Sequence, residues 1–193
     1  LSKLVNLKTV NAKDAMELLT LEIPTNRLLL QPITMKYKAE IFREFTEEIT
    51  TYLYARPAQV ISETELFISQ SLLEMQKGDK LTVVILKKDS QEFLGCSGIR
   101  HINSKHPECG IWLKKSAHGN GYGLEAITGL KEWAEENLDY EYLIYPVDRV
   151  NLPSRRIPEK LGGQVFREFE HINMSGRLLN IVEYKIPKKC QES

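Results

Sequence analysis

Apolar positions recur along this chain in two rhythms that predict the order of its elements. Residues 27–33, RLLLQPI, form a short apolar run closed by Pro32 and Thr34, which predicts a strand. From Lys38 to Glu48 the period lengthens, and Ala39, Ile41, Phe42, Phe45 and Ile49 return at helical spacing. The following TTYLYARPAQ is irregular and predicts a loop with local helix. Ser62 and Glu65 form a capping-box signature ahead of a helix carrying Leu66, Phe67, Leu73 and Met75, which Gly78-Asp79 ends. Strands follow at 81–86, 93–99 and 109–113, giving an antiparallel meander; Gly95 and Gly98 predict a bulge or a close backbone approach in its second strand. A helix with Leu124, Ile127, Leu130, Trp133 and Ala134 on its buried stripe runs to about Asn137. A strand at 142–147, a helix at 152–161 ended by Gly162-Gly163, and a hairpin of 165–172 with 178–186 complete the chain. Pro158 predicts a kink in that last helix, or a start near Ile157. Residues 1–23 read as an extension whose short helix, capped by Asp14, runs through Thr20; 24–188 read as one domain and 189–193 as a tail. The order is mixed α/β or α+β.

Composition narrows the classes. A chain of 193 residues with 42% hydrophobic and 27% charged content builds a core without staples. Its 26 Lys plus Arg balance 26 Asp plus Glu, so it lacks the broad positive field of a duplex-DNA binder. Cys96, Cys109 and Cys190 show no paired metal-ligand spacing, and the four histidines are scattered, so no metal is expected. The sequence has no apolar run of membrane-spanning length and no continuous apolar signal core; the expected setting is the reducing cytoplasm, with Cys96 and Cys109 as buried small residues.

The most informative stretch is KKSAHGNGYG, residues 114–123, set between a strand and a helix. Its glycines leave backbone N–H groups bare, and those groups beside a helix N-terminus suit phosphate oxygens. Neither GxGxxG nor a Walker lysine is present. On spacing alone, the stretch is a pyrophosphate site or a structural tight turn.

His118, Gly119, Asn120, Gly121, Tyr122 and Gly123 resemble the acetyl-CoA-binding motif of the GCN5-related N-acetyltransferase (GNAT) superfamily, with His in the place of Arg or Gln. TNRLLLQPI, FLGCSGI, ECGIWL, GNGYGLEA and NLPSRRIPEKLG follow in the family's order over about residues 25–170, most like the ribosomal-protein-alanine acetyltransferase branch. The resemblance implies a twisted, mainly antiparallel sheet, splayed between strands 109–114 and 142–147. It implies acetyl-CoA as the cofactor, with its pantetheine arm bonded to the backbone of Ile111, Trp112 and Leu113 and its pyrophosphate over 118–123. Asn151 would face the cofactor, and Ser154 would contact the cofactor and protonate the leaving thiolate. Glu108 would act as base beside the incoming amine, and the Leu113 N–H would hold the oxyanion. Other readings stand beside these: Glu108 as a turn cap or a partner of Lys105, Asn151 and Ser154 as helix caps. Tyr52, Tyr54 and His101 are candidate acceptor-facing residues. The expected acceptor is a primary amine, among them a protein N-terminus; an antibiotic, polyamine or amino acid fits the same half-site, and a decayed CoA-binding module is the rival reading. No nucleic-acid or membrane partner is expected, and a monomer or homodimer is.

Overall fold

The computed structural model describes residues 17–189. The proposed cap Asp14, Cys190 and all but the first residue of the tail lie outside them. Within them, residues 17–20 are helical. Eight strands form one sheet: β1 (Ile23–Pro24), β2 (Leu28–Pro32), β3 (Lys80–Lys87), β4 (Phe93–Arg100), β5 (Glu108–Leu113), β6 (Tyr142–Asp148), β7 (Gln164–Ile172) and β8 (Leu178–Pro187). Their spatial order is β1-β2-β3-β4-β5-β6-β8-β7. Every neighbouring pair is antiparallel except β5 with β6. The expected meander is therefore present as β3-β4-β5. The helices are α1 (Lys38–Glu44), α2 (Glu47–Thr50), α3 (Ile61–Gln76), α4 (Tyr122–Asn137) and α5 (Leu152–Lys160). Among the described residues no helix is long and apolar enough to cross a membrane.

Alternation along the strands sends successive side chains to opposite faces. Ile111 and Leu113 point toward α4, where their Cδ1 atoms lie 4.0 and 3.8 Å from where a Gly123 Cβ would sit. Trp112, between them, points the other way and packs its ring 4.9 Å from Phe45 at the end of α1. One face of the sheet is thus covered by α4 and α5 and the other by α1 and α3. Leu28, Leu30, Val83, Ile85, Ile99, Ile127 and Leu143 are fully buried between these layers. Each such side chain contributes about 1.5–3 kcal/mol by leaving water.

Three local expectations are corrected. The helical pattern over 38–48 is broken at Phe45, which leaves helical geometry to reach Trp112; Thr46 then caps α2 through the Ile49 N–H. Ser62 does not cap α3, which begins at Ile61 with Val60 in the capping position. The Glu63 carboxylate serves instead, accepting the Gln59 N–H at 3.1 Å and pairing with Arg56. Lastly, α5 begins at Leu152, well before Ile157, and runs through Pro158. The bulge expected beside Gly95 is present: Ile85 pairs with Gly95 and Leu86 with Phe93, which leaves Leu94 as the extra residue of β4.

Candidate active site

The parallel pair β5-β6 is joined at one position, Glu108 opposite Ile144, with the Ile144 N–H donating to the Pro107 carbonyl at 2.8 Å. The next donor along β6 on that side is residue 146, and it is proline, which has no N–H to give. Beyond this bridge the register ends and a gap opens. The Lys114 N–H donates to the Leu94 carbonyl (2.7 Å), which sets the phase of the β4-β5 ladder. Peptide groups of Gly110 and Trp112 face β4, while those of Ile111 and Leu113 face the gap. The expectation that all three of Ile111, Trp112 and Leu113 offer backbone groups there is corrected for Trp112. Its carbonyl is turned to β4, 2.1 Å from where a Gly95 Cβ would sit.

Past Leu113 the chain makes a 3-10 turn at Lys115–Ala117 and enters the glycine loop. Gly119 and Gly121 hold φ of +76° and +78°, conformations that L side chains seldom adopt. Among the described residues, the N–H groups of Gly119, Asn120, Gly121, Tyr122 and Gly123 have no hydrogen-bond acceptor. They form a row of bare donors at the α4 N-terminus, whose dipole adds to the attraction for an anion. The His118 ring folds back, Nε2 donating to the Leu113 carbonyl at 2.9 Å, so it braces the loop. Gly123 allows close helix packing, since a Cβ there would lie 3.1 Å from Ile157 Cδ1 of α5.

Asn151 caps α5, its Oδ1 accepting the Ser154 N–H at 3.4 Å. The Ser154 hydroxyl meets the Tyr145 hydroxyl at 2.9 Å. The two lie nine positions apart in sequence, across a strand and a turn. Burial pushes the Tyr145 phenol well above its ordinary range, with the Ser154 hydrogen bond pulling weakly the other way, so Tyr145 is neutral at physiological pH. Tyr145 is one residue past the Ile144 bridge, which places the pair level with the closed end of the gap. Tyr145 shares a sheet face with Tyr184, whose hydroxyl bonds Arg155 and Glu159 of α5. Glu108 shares the opposite face with Trp112.

Glu108 pairs with Arg100 directly across the ladder, 3.2 Å from Nε. Lys105, its expected alternative partner, pairs with Asp139. His101, with φ of +56°, is exposed in the turn after β4. Tyr52 and Tyr54 are exposed on the loop after α2. That loop is fastened to the β7-β8 turn: Met174 N–H donates to the Tyr54 carbonyl (2.9 Å) and Asn173 Nδ2 to the Leu53 carbonyl (3.1 Å). His171 lies 4.9 Å from the Tyr54 ring. Cys96 and Cys109 are buried, and burial pushes the Cys109 thiol up to about 12. Neither supplies a thiolate near neutral pH. Among the described residues, no group of three or more His, Cys, Asp or Glu is placed to hold a metal ion.

Sequence reading missed Arg27 and Glu125, which lie 98 positions apart. Glu125, in the first turn of α4, accepts the Thr25 hydroxyl (2.6 Å), the Arg27 N–H (2.6 Å) and Arg27 Nε (2.7 Å). Burial acts to raise its pKa, but those hydrogen bonds and the guanidinium charge outweigh it and hold the carboxyl below its ordinary 4.5. A carboxyl depressed on folding stabilises the native state fully above that ordinary value, and the contribution is lost as pH falls through the native one. Glu125→Gln is therefore expected to cost about 2 kcal/mol at pH 7 and to flatten the acid limb of stability, measured by urea unfolding from pH 7 to pH 3.

A three-plus-strand meander, a strand pair parted by a proline and a bare-amide loop opening a helix define an acyltransferase fold of the GNAT type. The model of the acetyltransferase (GNAT) domain matches residues 27–164, and the chain belongs to that family. It is similar to the uncharacterized N-acetyltransferase p20 of Bacillus licheniformis, 22% identical over 171 residues, covering 86% of this chain and 95% of that one. Among solved structures it resembles RimL, a ribosomal L7/L12 alpha-N-protein acetyltransferase in complex with coenzyme A (TM-score 0.78, 16% identity, 86% of this chain and 98% of that one). It also resembles a spermidine N-acetyltransferase from Vibrio cholerae in complex with CoA and spermine (TM-score 0.73, 15% identity, 84% and 96%). At such identities the structural likeness shows the fold.

Proposed function

We propose that this acetyltransferase moves the acetyl group of acetyl-CoA onto a primary amine by direct attack, with a protein N-terminus as the acceptor. The observation that carries this reading is the row of bare donors on the glycine loop, residues 119–123, set beside the open edge of β5 at the gap. The N–H groups of residues 119–123 suit a diphosphate, and the edge groups of Ile111 together with the Leu113 N–H suit the amides of a pantetheine arm. Acetyl-CoA supplies a thioester carbonyl activated toward amines. An arm entering from the loop passes Leu113 first and Ile111 deeper in. That order moves the oxyanion role from Leu113 to the Ile111 N–H, the one nearer to Glu108 and Ser154.

Glu108 and Ser154 lie on opposite faces of the gap, which separates their tasks. Glu108 takes the proton from the attacking nitrogen, and the Ser154 hydroxyl, backed by neutral Tyr145, gives a proton to the departing sulfur. A cysteine route is disfavoured by the buried, neutral thiols of Cys96 and Cys109. Open space on the face that carries Glu108 supports a chain end as acceptor: nothing lies within 4 Å of where a Gly110 Cβ would point.

The test is acetyl-CoA turnover, followed as free thiol, with peptides bearing free alanine or serine N-termini, their Nα-blocked forms, and spermidine. Release that depends on the free N-terminus is expected. Equal release with blocked peptides, or release with spermidine alone, overturns the acceptor assignment. No acceptor-dependent release together with no calorimetric binding of CoA overturns the transferase reading.

A further inference from the structure

The bare amides of the glycine loop point outward for a reason that lies in their neighbouring carbonyls. In a trans peptide the C=O and the following N–H point in opposite directions, and among the described residues no peptide bond is cis. Whatever holds the carbonyl therefore aims the amide. The Asn120 carbonyl accepts from Arg27 Nη1 at 3.1 Å, so the Gly121 N–H is aimed away from Arg27. The His118 carbonyl accepts from Asn120 Nδ2 at 2.9 Å, which aims the Gly119 N–H in the same manner. The left-handed glycines on either side of Asn120 leave these planes free to rotate, so the loop needs such restraints.

Arg27 is itself fixed. Glu125 accepts both its Nε and its backbone N–H, and its guanidinium lies 4.6 Å over the Tyr122 ring. A planar fork can hold a carboxylate on one edge and a carbonyl on another at once, which an ammonium group does poorly. Because Glu125 already partners its charge, the consequence of Arg27 for an anion on the loop is mainly one of direction.

We propose that Arg27 is a positioning residue for the nucleotide half of acetyl-CoA: tethered by Glu125, it holds the Asn120 carbonyl so that the Gly121 amide faces the diphosphate. This rests on the transferase reading above. The residue lies in the bend between β1 and β2, far in sequence from the loop it orders.

The test compares Arg27→Gln and Arg27→Lys with the parent enzyme on two thioesters, acetyl-CoA and S-acetyl-pantetheine, which has no diphosphate. For Arg27→Gln, KM for acetyl-CoA is expected to rise about tenfold with kcat within about twofold, and kcat/KM for S-acetyl-pantetheine to stay unchanged. Arg27→Lys is expected to stay near the glutamine variant. Equal losses on both thioesters would mean general damage to the fold and overturn the proposal. Full recovery with lysine would mean simple charge attraction and overturn it too, as would an unaltered KM in the glutamine variant. If the parent protein fails to bind acetyl-CoA at all, the transferase reading falls; if it binds and the variants match it, only the role of Arg27 falls.

Discussion

Removing the Ser154 hydroxyl is expected to lower kcat about a hundredfold while KM for acetyl-CoA changes less than about threefold. Ser154 meets Tyr145 at 2.9 Å at the closed end of the gap, and Tyr145 is 2% exposed. A buried neutral phenol is a poor acid by itself but a good donor to a serine that is itself donating. Tyr145→Phe keeps the packing and removes that support, so its kcat is expected to fall about tenfold. Steady-state kinetics at saturating acceptor, with both variants checked for native unfolding midpoints, decides the matter. A Ser154→Ala enzyme that loses affinity for acetyl-CoA at unchanged kcat would reduce Ser154 to a binding contact.

The second large effect is on stability. Gly95→Ala is expected to cost about 3 kcal/mol or more, because the new Cβ would lie 2.1 Å from the Trp112 carbonyl oxygen and 2.8 Å from Leu113 Cα. Both obstacles are backbone of β5, so relief requires β4 and β5 to separate in the segment that borders the gap. Gly110→Ala, one strand over, meets nothing within 4 Å and is expected to change stability by less than about 0.5 kcal/mol. Urea denaturation of the pair measures the contrast.

Periodicity made most of the sheet and the two long helices legible, since Leu81–Leu86 and the stripe of Leu124, Ile127 and Leu130 follow single-element rules. The glycine loop was legible for the same reason: its chemistry is local. What escaped is pairwise and distant. Arg27 reads as the polar start of a strand, and nothing near it in the chain announces Glu125. Tyr145 sits on an apolar strand where a buried ring needs no further explanation until Ser154 is brought beneath it. The partner of Glu108 was misplaced because a turn neighbour, Lys105, is nearer in sequence than Arg100, whereas the antiparallel register sets Arg100 directly opposite. Ser62 failed as a cap for a related reason: Glu63 was already committed to the chain before the helix through Gln59 and Arg56. The role of Pro146 becomes visible only when the strand beside it is known.

That proline separates anchorage from aim. In the open strand edge it creates, a ligand amide replaces water on a peptide group nearly one for one, so little net affinity is gained there. Tight holding has to come from the opposite end, where several bare donors and a helix terminus meet a multiply charged group. On the proposed reading, a short thioester cut off from its nucleotide would lie in the correct attitude yet leave quickly, a guide without a grip.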